Sequence, residues 1–305
     1  MVIESPQPPS LLDAQSCGED LAYNAERFSA LVTRFCAACV DFHIRASLHR
    51  YIGARKILDQ PQLIRLAGMI IADRAARSLG PIEIVIAGGI DTAMTAIAAH
   101  AAAILGVKVL NRCRLTLLDL CKTPLLACSE FAERHQLNFR GLQCDLSSVA
   151  RPCSADLIVT RSLLRFIPHA DQAALLRRIG SWLAPQGRLI FSNRVLLDDD
   201  GAEAKGEFRK RTLADKAILA AIADGRFRLA EGAEVTLERR AIGDDQGLPG
   251  EFRALDQVQT VIRASGLIEI SIDGLEWELP VAAGDSMQRR RVIAVLGPRA
   301  AVSMG

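Results

Sequence analysis

Between Pro81 and Asp119 the chain runs through the apolar stretch Ile82-Glu83-Ile84-Val85-Ile86, breaks at Ala87-Gly88-Gly89-Ile90-Asp91, and continues as an alanine-rich segment. It then returns to apolar residues that end on Asp119. A β-branched run, a double glycine, a stretch of helix formers and a second apolar run form one strand-helix-strand unit. A crossover of that length joins parallel strands, so this unit commits the chain to a parallel sheet with helices packed on it.

The rest of the chain extends the alternation. Strands are expected over 82–87, 114–119, 138–143, 155–160 and 187–194, with helices near 92–105, 123–136 and 170–183. Ala184-Pro185-Gln186 is a turn before the fifth strand. Upstream, residues 1–18 carry proline, serine and glycine without periodicity and are expected to be a flexible tail. Residues 19–80 predict three helices that form a cap, the third opened by Pro61 as a first-turn proline would. Residues 81–305 form the α/β domain.

Within it, an insertion is expected at about 204–250, with a charged amphipathic helix over 204–223 ended by Asp224-Gly225 and an irregular or hairpin segment over 226–250. A helix over 254–264 then leads to apolar strands at 267–272 and 291–296. The residues between these strands, with Pro280 and Gly284, are too few for a packed crossover, so the final pair is expected to be an antiparallel long hairpin. Arg289-Arg290-Arg291 reads as the solvated start of the last strand.

Composition excludes several classes. With Lys+Arg 37 against Asp+Glu 35 and a formal charge of +2, the chain has no global field for nucleic acid or an anionic membrane. The apolar run at 95–105 is too short for a bilayer, and the N-terminus lacks a basic start followed by an apolar core. A cytoplasmic location is expected. Of the eight cysteines, only Cys36-Ala37-Ala38-Cys39 has a metal-like or redox-like spacing. It sits in an apolar helical pattern without a second pair, so the thiols read as small buried hydrophobes and no metal is expected.

The order of five parallel strands, then a helix and a closing strand pair, resembles the class I S-adenosylmethionine-dependent methyltransferases over roughly residues 80–298. The resemblance is carried by Val85-Ile86-Ala87-Gly88-Gly89 in place of the glycine motif and Leu117-Leu118-Asp119-Leu120 in place of the second-strand acid. It is also carried by Cys144-Asp145-Leu146 after the third strand, by Ala155-Asp156-Leu157-Ile158-Val159-Thr160 as the fourth, and by Leu183-Ala184-Pro185-Gln186-Gly187. It implies a Rossmann-like α/β fold: a seven-stranded sheet, parallel with an antiparallel last strand, flanked by helices beneath an N-terminal helical cap.

It further implies S-adenosylmethionine as cofactor, held by Ala87, Gly88, Gly89, Asp91, Asp119, Leu120, Asp145, Leu146 and Thr160. In the resemblance, Asp119 accepts the ribose hydroxyls, Asp145 meets the adenine amino group, and Leu120 or Leu146 packs on the ring. Asp145 can equally form an Asx turn, and Asp91 can equally cap the helix that follows it.

A glycine loop with no third glycine, closed by the acid Asp91, suits a phosphate-free cation better than a pyrophosphate. A nicotinamide-dependent oxidoreductase is the weaker enzyme alternative, since both tyrosines, Tyr23 and Tyr51, precede the sheet. A methyltransferase-like binding or scaffold protein without catalysis is the alternative from another class.

After the fourth strand stands Thr160-Arg161-Ser162-Leu163-Leu164-Arg165-Phe166 rather than the Asn-Pro-Pro-Tyr type of motif of nucleic-acid amino methyltransferases. A small-molecule acceptor is therefore expected, with no nucleic acid or membrane partner and with a homodimer left open. Arg50, Tyr51, Arg161 and Phe166 are the candidate acceptor contacts, and His49 and His169 the candidate bases. His43 and His49 fall about 120° apart around an ideal helix, so at most one faces the pocket.

Overall fold

The computed structural model describes residues 16–36, 40–52, 57–196, 216–226, 228–231, 249–282 and 285–299. Three helices precede the sheet: α1 (Leu21–Phe35), α2 (Val40–Tyr51) and α3 (Gln60–Arg77). The body continues as β1 (Ile82–Ala87), α4 (Ala93–Ala103), α5 (Val107–Leu110), β2 (Cys113–Asp119), α6 (Lys122–Arg134), β3 (Phe139–Gln143) and β4 (Ala155–Arg161). A 3-10 turn (Leu164–Phe166), α7 (His169–Gly180), β5 (Leu183–Val195), α8 (Leu255–Ser265), β6 (Ile268–Ala282) and β7 (Asp285–Gly297) complete it.

The seven strands lie in the order β3-β2-β1-β4-β5-β7-β6. The first five are parallel, and β7 runs antiparallel to both β5 and β6. Alternation along β1 divides the core: Ile82, Ile84 and Ile86 face α3, α4 and α6, whereas Val85 and Ala87 face α7 and α8. α4 is buried along nearly its whole length. Its alanines permit close helix packing; a Cβ added to Gly68 of α3 would lie only 3.7 Å from the Ala101 carbonyl.

That packing divides the expected cap. α3 lies on the sheet itself, burying Leu63, Leu66, Ala67 and Ile71. Arg74 in its last turn pairs with Asp156 of β4 at 2.7 Å. α1 and α2 instead share an apolar cluster with Ala127 of α6 and with Ile218 and Ala221 of a helical segment over 216–223. The expected tail also needs correction at its end, because Cys17 is buried in the core and accepts a hydrogen bond from Gln60. Residues 1–15, 197–215 and 232–248, on which the remaining tail and most of the expected insertion fall, lie outside the described residues.

Other boundaries moved for local reasons. The connection between the helix expected near 92–105 and the strand expected at 114–119 contains the one-turn helix α5, introduced by Gly106 at φ +106°. β5 starts at Leu183, and the Ala184-Pro185-Gln186 turn is a bulge, since Ala155 pairs with Leu183 and Leu157 with Arg188. Gly187 is needed there: a Cβ would sit 2.4 Å from the Ala155 carbonyl oxygen. β6 and β7 pair almost to the tip of their hairpin, much farther than their apolar ends suggest. Arg291 does not join Arg290 at the surface. Arg290 pairs with Glu276, but Arg291 turns inward to Asp59 and Ser162.

Candidate active site

β1 pairs with β2 on one side and β4 on the other, so chain order reverses between β1 and β4. In open parallel sheets the crevice outside the strands' carboxyl ends at such a reversal receives the ligand. The glycine turn leaves β1 at this point, with Gly88 at φ +79°, in the left-handed region that glycine adopts without strain. Its N–H donates to the Leu118 carbonyl at 2.9 Å, which binds the turn to β2.

Asp119 ends β2 beside that turn. Its Oδ2 accepts from the Gly89 N–H and its Oδ1 from the Cys121 N–H, both at 2.7 Å. Burial pushes its carboxyl pKa up, opposed by those two N–H groups and by His43. Each carboxylate oxygen can accept two hydrogen bonds, so both retain capacity for a vicinal diol. Thr160, at the end of β4, is buried with its hydroxyl unpartnered among the described residues.

The other residues expected at the cofactor are more dispersed. Ala87 is fully buried and Leu146 packs in the α7 and α8 core. Leu120 is 72 % exposed. Asp145 accepts from the Ser147 N–H at 2.8 Å and from its hydroxyl at 2.7 Å, the Asx turn left open by the sequence. Those two bonds, the N–H first, hold its carboxyl below the ordinary range.

Asp91 does serve the helix start, accepting from Ala93 N–H at 2.9 Å, while Thr92 occupies the cap position. Its other oxygen lies 3.1 Å from Arg50, which also pairs with Glu19. Thr92 donates to Glu19 and accepts from the Asn24 amide at 3.1 Å. Burial disfavours the Arg50 charge, but Asp91 and Glu19 outweigh it and raise its pKa. Arg50, expected at the acceptor, thus fastens the segment before α1 to the glycine turn. It also partly neutralises Asp91, which weakens the expectation that this acid excludes a pyrophosphate.

Arg161 forms a forked pair with Asp59, its Nε 3.0 Å and its terminal nitrogen 2.7 Å from Oδ1. Arg291 reaches the other oxygen at 3.1 Å, and Ser192 donates to it at 2.6 Å. Burial would raise the Asp59 pKa, but Arg161 and Arg291 hold it well below the ordinary carboxylate range. Asp59 was missed because Asp59-Gln60-Pro61 reads only as a helix start.

Of the two α2 histidines, His43 rather than His49 faces the glycine turn, its Nδ1 lying 2.9 Å from the Ile90 carbonyl. Tyr51 packs against the cap cluster. Phe166 lies under the Arg165 guanidinium. His169 opens α7, its Nδ1 3.3 Å from the Gln172 side-chain oxygen Oε1, with its ring edge on Phe252.

The strand order, the reversed last strand and the glycine turn facing a second-strand acid define the fold of the class I S-adenosylmethionine-dependent methyltransferases. Solved structures are similar to this chain in architecture. Magnesium protoporphyrin IX methyltransferase from Synechocystis, solved with SAH, is 12% identical, covering 78% of this chain and 82% of that one at a TM-score of 0.45.

 The mitomycin 7-O-methyltransferase MmcR is 17% identical, covering 97% of this chain and 74% of that one at a TM-score of 0.45. TehB from Haemophilus influenzae is 10% identical, covering 75% of this chain and 61% of that one at a TM-score of 0.44. Likeness at these identities says nothing of substrate, and strand order and register carry the fold assignment. No protein-family profile and no curated protein sequence matches the chain.

Proposed function

We propose that the chain is an S-adenosylmethionine-dependent methyltransferase acting on a small-molecule acceptor. The observation that carries this reading is the Asp119 carboxylate, oriented by the Gly89 and Cys121 N–H groups beside the glycine turn, with an acceptor position left on each oxygen. A ribose diol suits those two positions. Gly88 and Gly89 leave the backbone approachable by a flat nucleoside. Thr160 offers a buried hydroxyl at the crevice, and Asp145 and Leu146 lie beyond the end of β3, where an adenine would extend.

The cofactor, when bound, supplies a sulfonium that is already an activated methyl donor. The residues of this chain would hold and orient it and keep water out, which supports transfer by positioning. The absence of the Asn-Pro-Pro-Tyr type of motif after β4 favours a small acceptor over a nucleic acid. His169 remains the candidate base, since His43 rather than His49 faces the glycine turn.

Titration of the purified protein with S-adenosylhomocysteine by calorimetry tests the reading, with Asp119→Asn as the companion. Two hydrogen bonds to a charged group are worth about 1.5–3 kcal/mol each, so the variant should bind at least about 100-fold more weakly. No heat from the native protein at millimolar ligand, or equal affinity in the variant, would sink the assignment. The glycine turn without its third glycine favours a second reading, a cofactor-binding protein without turnover. A methylated product from a metabolite panel would exclude it.

A further inference from the structure

Cys36, His43 and Cys121 are distant in sequence and their side chains are not used in the reading above, yet their donor atoms all lie within 4.8 Å of one another. Cys36 is the C-cap of α1, His43 belongs to α2, and Cys121 stands in the β2–α6 turn two residues beyond Asp119. The two sulfurs are 3.1 Å apart, and the Thr123 hydroxyl is 2.8 Å from that of Cys36.

The imidazole is set up as a ligand. A carbonyl only accepts, so the contact of Nδ1 with Ile90 O at 2.9 Å requires a proton on Nδ1. In the neutral ring that leaves the lone pair on Nε2, the nitrogen not engaged by Ile90. Metal-binding histidines are held in this way, by a carbonyl on the nitrogen that does not coordinate.

We propose that Cys36 Sγ, His43 Nε2 and Cys121 Sγ bind a zinc-class divalent cation, with the fourth position left to water. Two thiolates and an imidazole select a borderline-soft ion over magnesium or calcium. In a tetrahedral zinc site neighbouring donors lie about 3.5–3.8 Å apart, so loading requires the sulfurs to separate by about 0.7 Å. The ion would tie α1 and α2 to the turn that carries Asp119, clasping the cap over the crevice. The sequence reading expected no metal, because Cys36 and Cys121 are brought together only by the packing of α1 on α6. Cation binding does not depend on the methyltransferase reading.

The test is titration of reduced, chelator-stripped protein with Co2+ and then Zn2+. Stoichiometric uptake, a sulfur-to-cobalt charge-transfer band with tetrahedral d–d bands, and bleaching by Zn2+ are expected. Cys36→Ser, His43→Gln and Cys121→Ser should each weaken uptake beyond the ~100-fold that supporting-shell changes cost, and Cys153→Ser should leave it unchanged. His43→Cys, which restores a thiolate, should retain the charge-transfer band even if His43→Gln fails to fold. Absence of the band in the native protein overturns the proposal, as does its persistence in all three ligand variants. Recovery of the pair as a Cys36–Cys121 disulfide whose reduced form takes up no metal would also overturn it.

Discussion

Asp59→Asn removes a charge at a position with 0 % exposure while keeping the side chain's shape. In the native protein that carboxylate faces two guanidinium groups and one hydroxyl, at 2.6 to 3.1 Å. A unit charge pair near 4 Å is worth about 4 kcal/mol at an effective dielectric of 20, so two arginines give a gross attraction of about 8 kcal/mol. Desolvation consumes several kcal/mol of that per ion. Removing the acid does not return the native balance to zero, because Arg161 and Arg291 stay largely buried and now face each other uncompensated. The expected loss is therefore about 3–5 kcal/mol, the range for breaking a buried pair from one side.

The pH dependence gives an independent check. The native pKa of Asp59 is depressed, so its contribution is complete above the unfolded value near 3.9 and is lost as pH falls through the lower folded value. The difference between native protein and variant in urea unfolding should be level above about pH 5 and shrink below about pH 4. A difference under about 1 kcal/mol at neutral pH would refute the reasoning, as would one that grows on acidification.

Three other outcomes are expected. Gly187→Ala should cost about 1–3 kcal/mol in chemical denaturation, since the new methyl meets the Ala155 carbonyl at 2.4 Å, and an unchanged midpoint would show that the bulge yields freely. Gln172→Leu strips the amide that donates to Leu164 O at 3.0 Å and Gly250 O at 2.8 Å, so about 1–3 kcal/mol is lost for each carbonyl left dry, and amide exchange at 249–252 should quicken. Burial raises the Cys121 thiol, but His43, Cys36 and the Thr123 N–H bring it down to about 6, whereas burial pushes Cys113 up to about 12. In chelator at pH 7, alkylation should therefore reach Cys121 well before Cys113, and equal rates by peptide mapping would contradict it.

How far the sequence reaches differs between the sheet and the site. The glycine turn, the acid on β2 and the alternation of strand and helix were legible because they depend on neighbours in the chain: apolar period, glycine at a turn, proline in a first turn. Asp119 could be named because its place at a strand's carboxyl end is itself a local property. Asp145 and Asp91 were legible only as alternatives, since an acid beside a turn serves backbone and ligand equally well. His49 was nominated where His43 faces the turn, because helical period separates two sides without saying which one is covered.

By itself, then, the sequence determined a parallel α/β core with a glycine turn facing a second-strand acid, since these follow from short-range sterics and hydrophobic period. Tertiary structure alone decided that α3 joins the sheet, that Arg50 fastens Glu19 to Asp91, that Asp59 gathers Arg161 and Arg291, and that Cys36 and His43 meet Cys121. Each of these joins residues far apart in the chain. The physical reason is that burial makes an unpaired charge or donor costly, and the identity of its partner depends on which distant surfaces pack together.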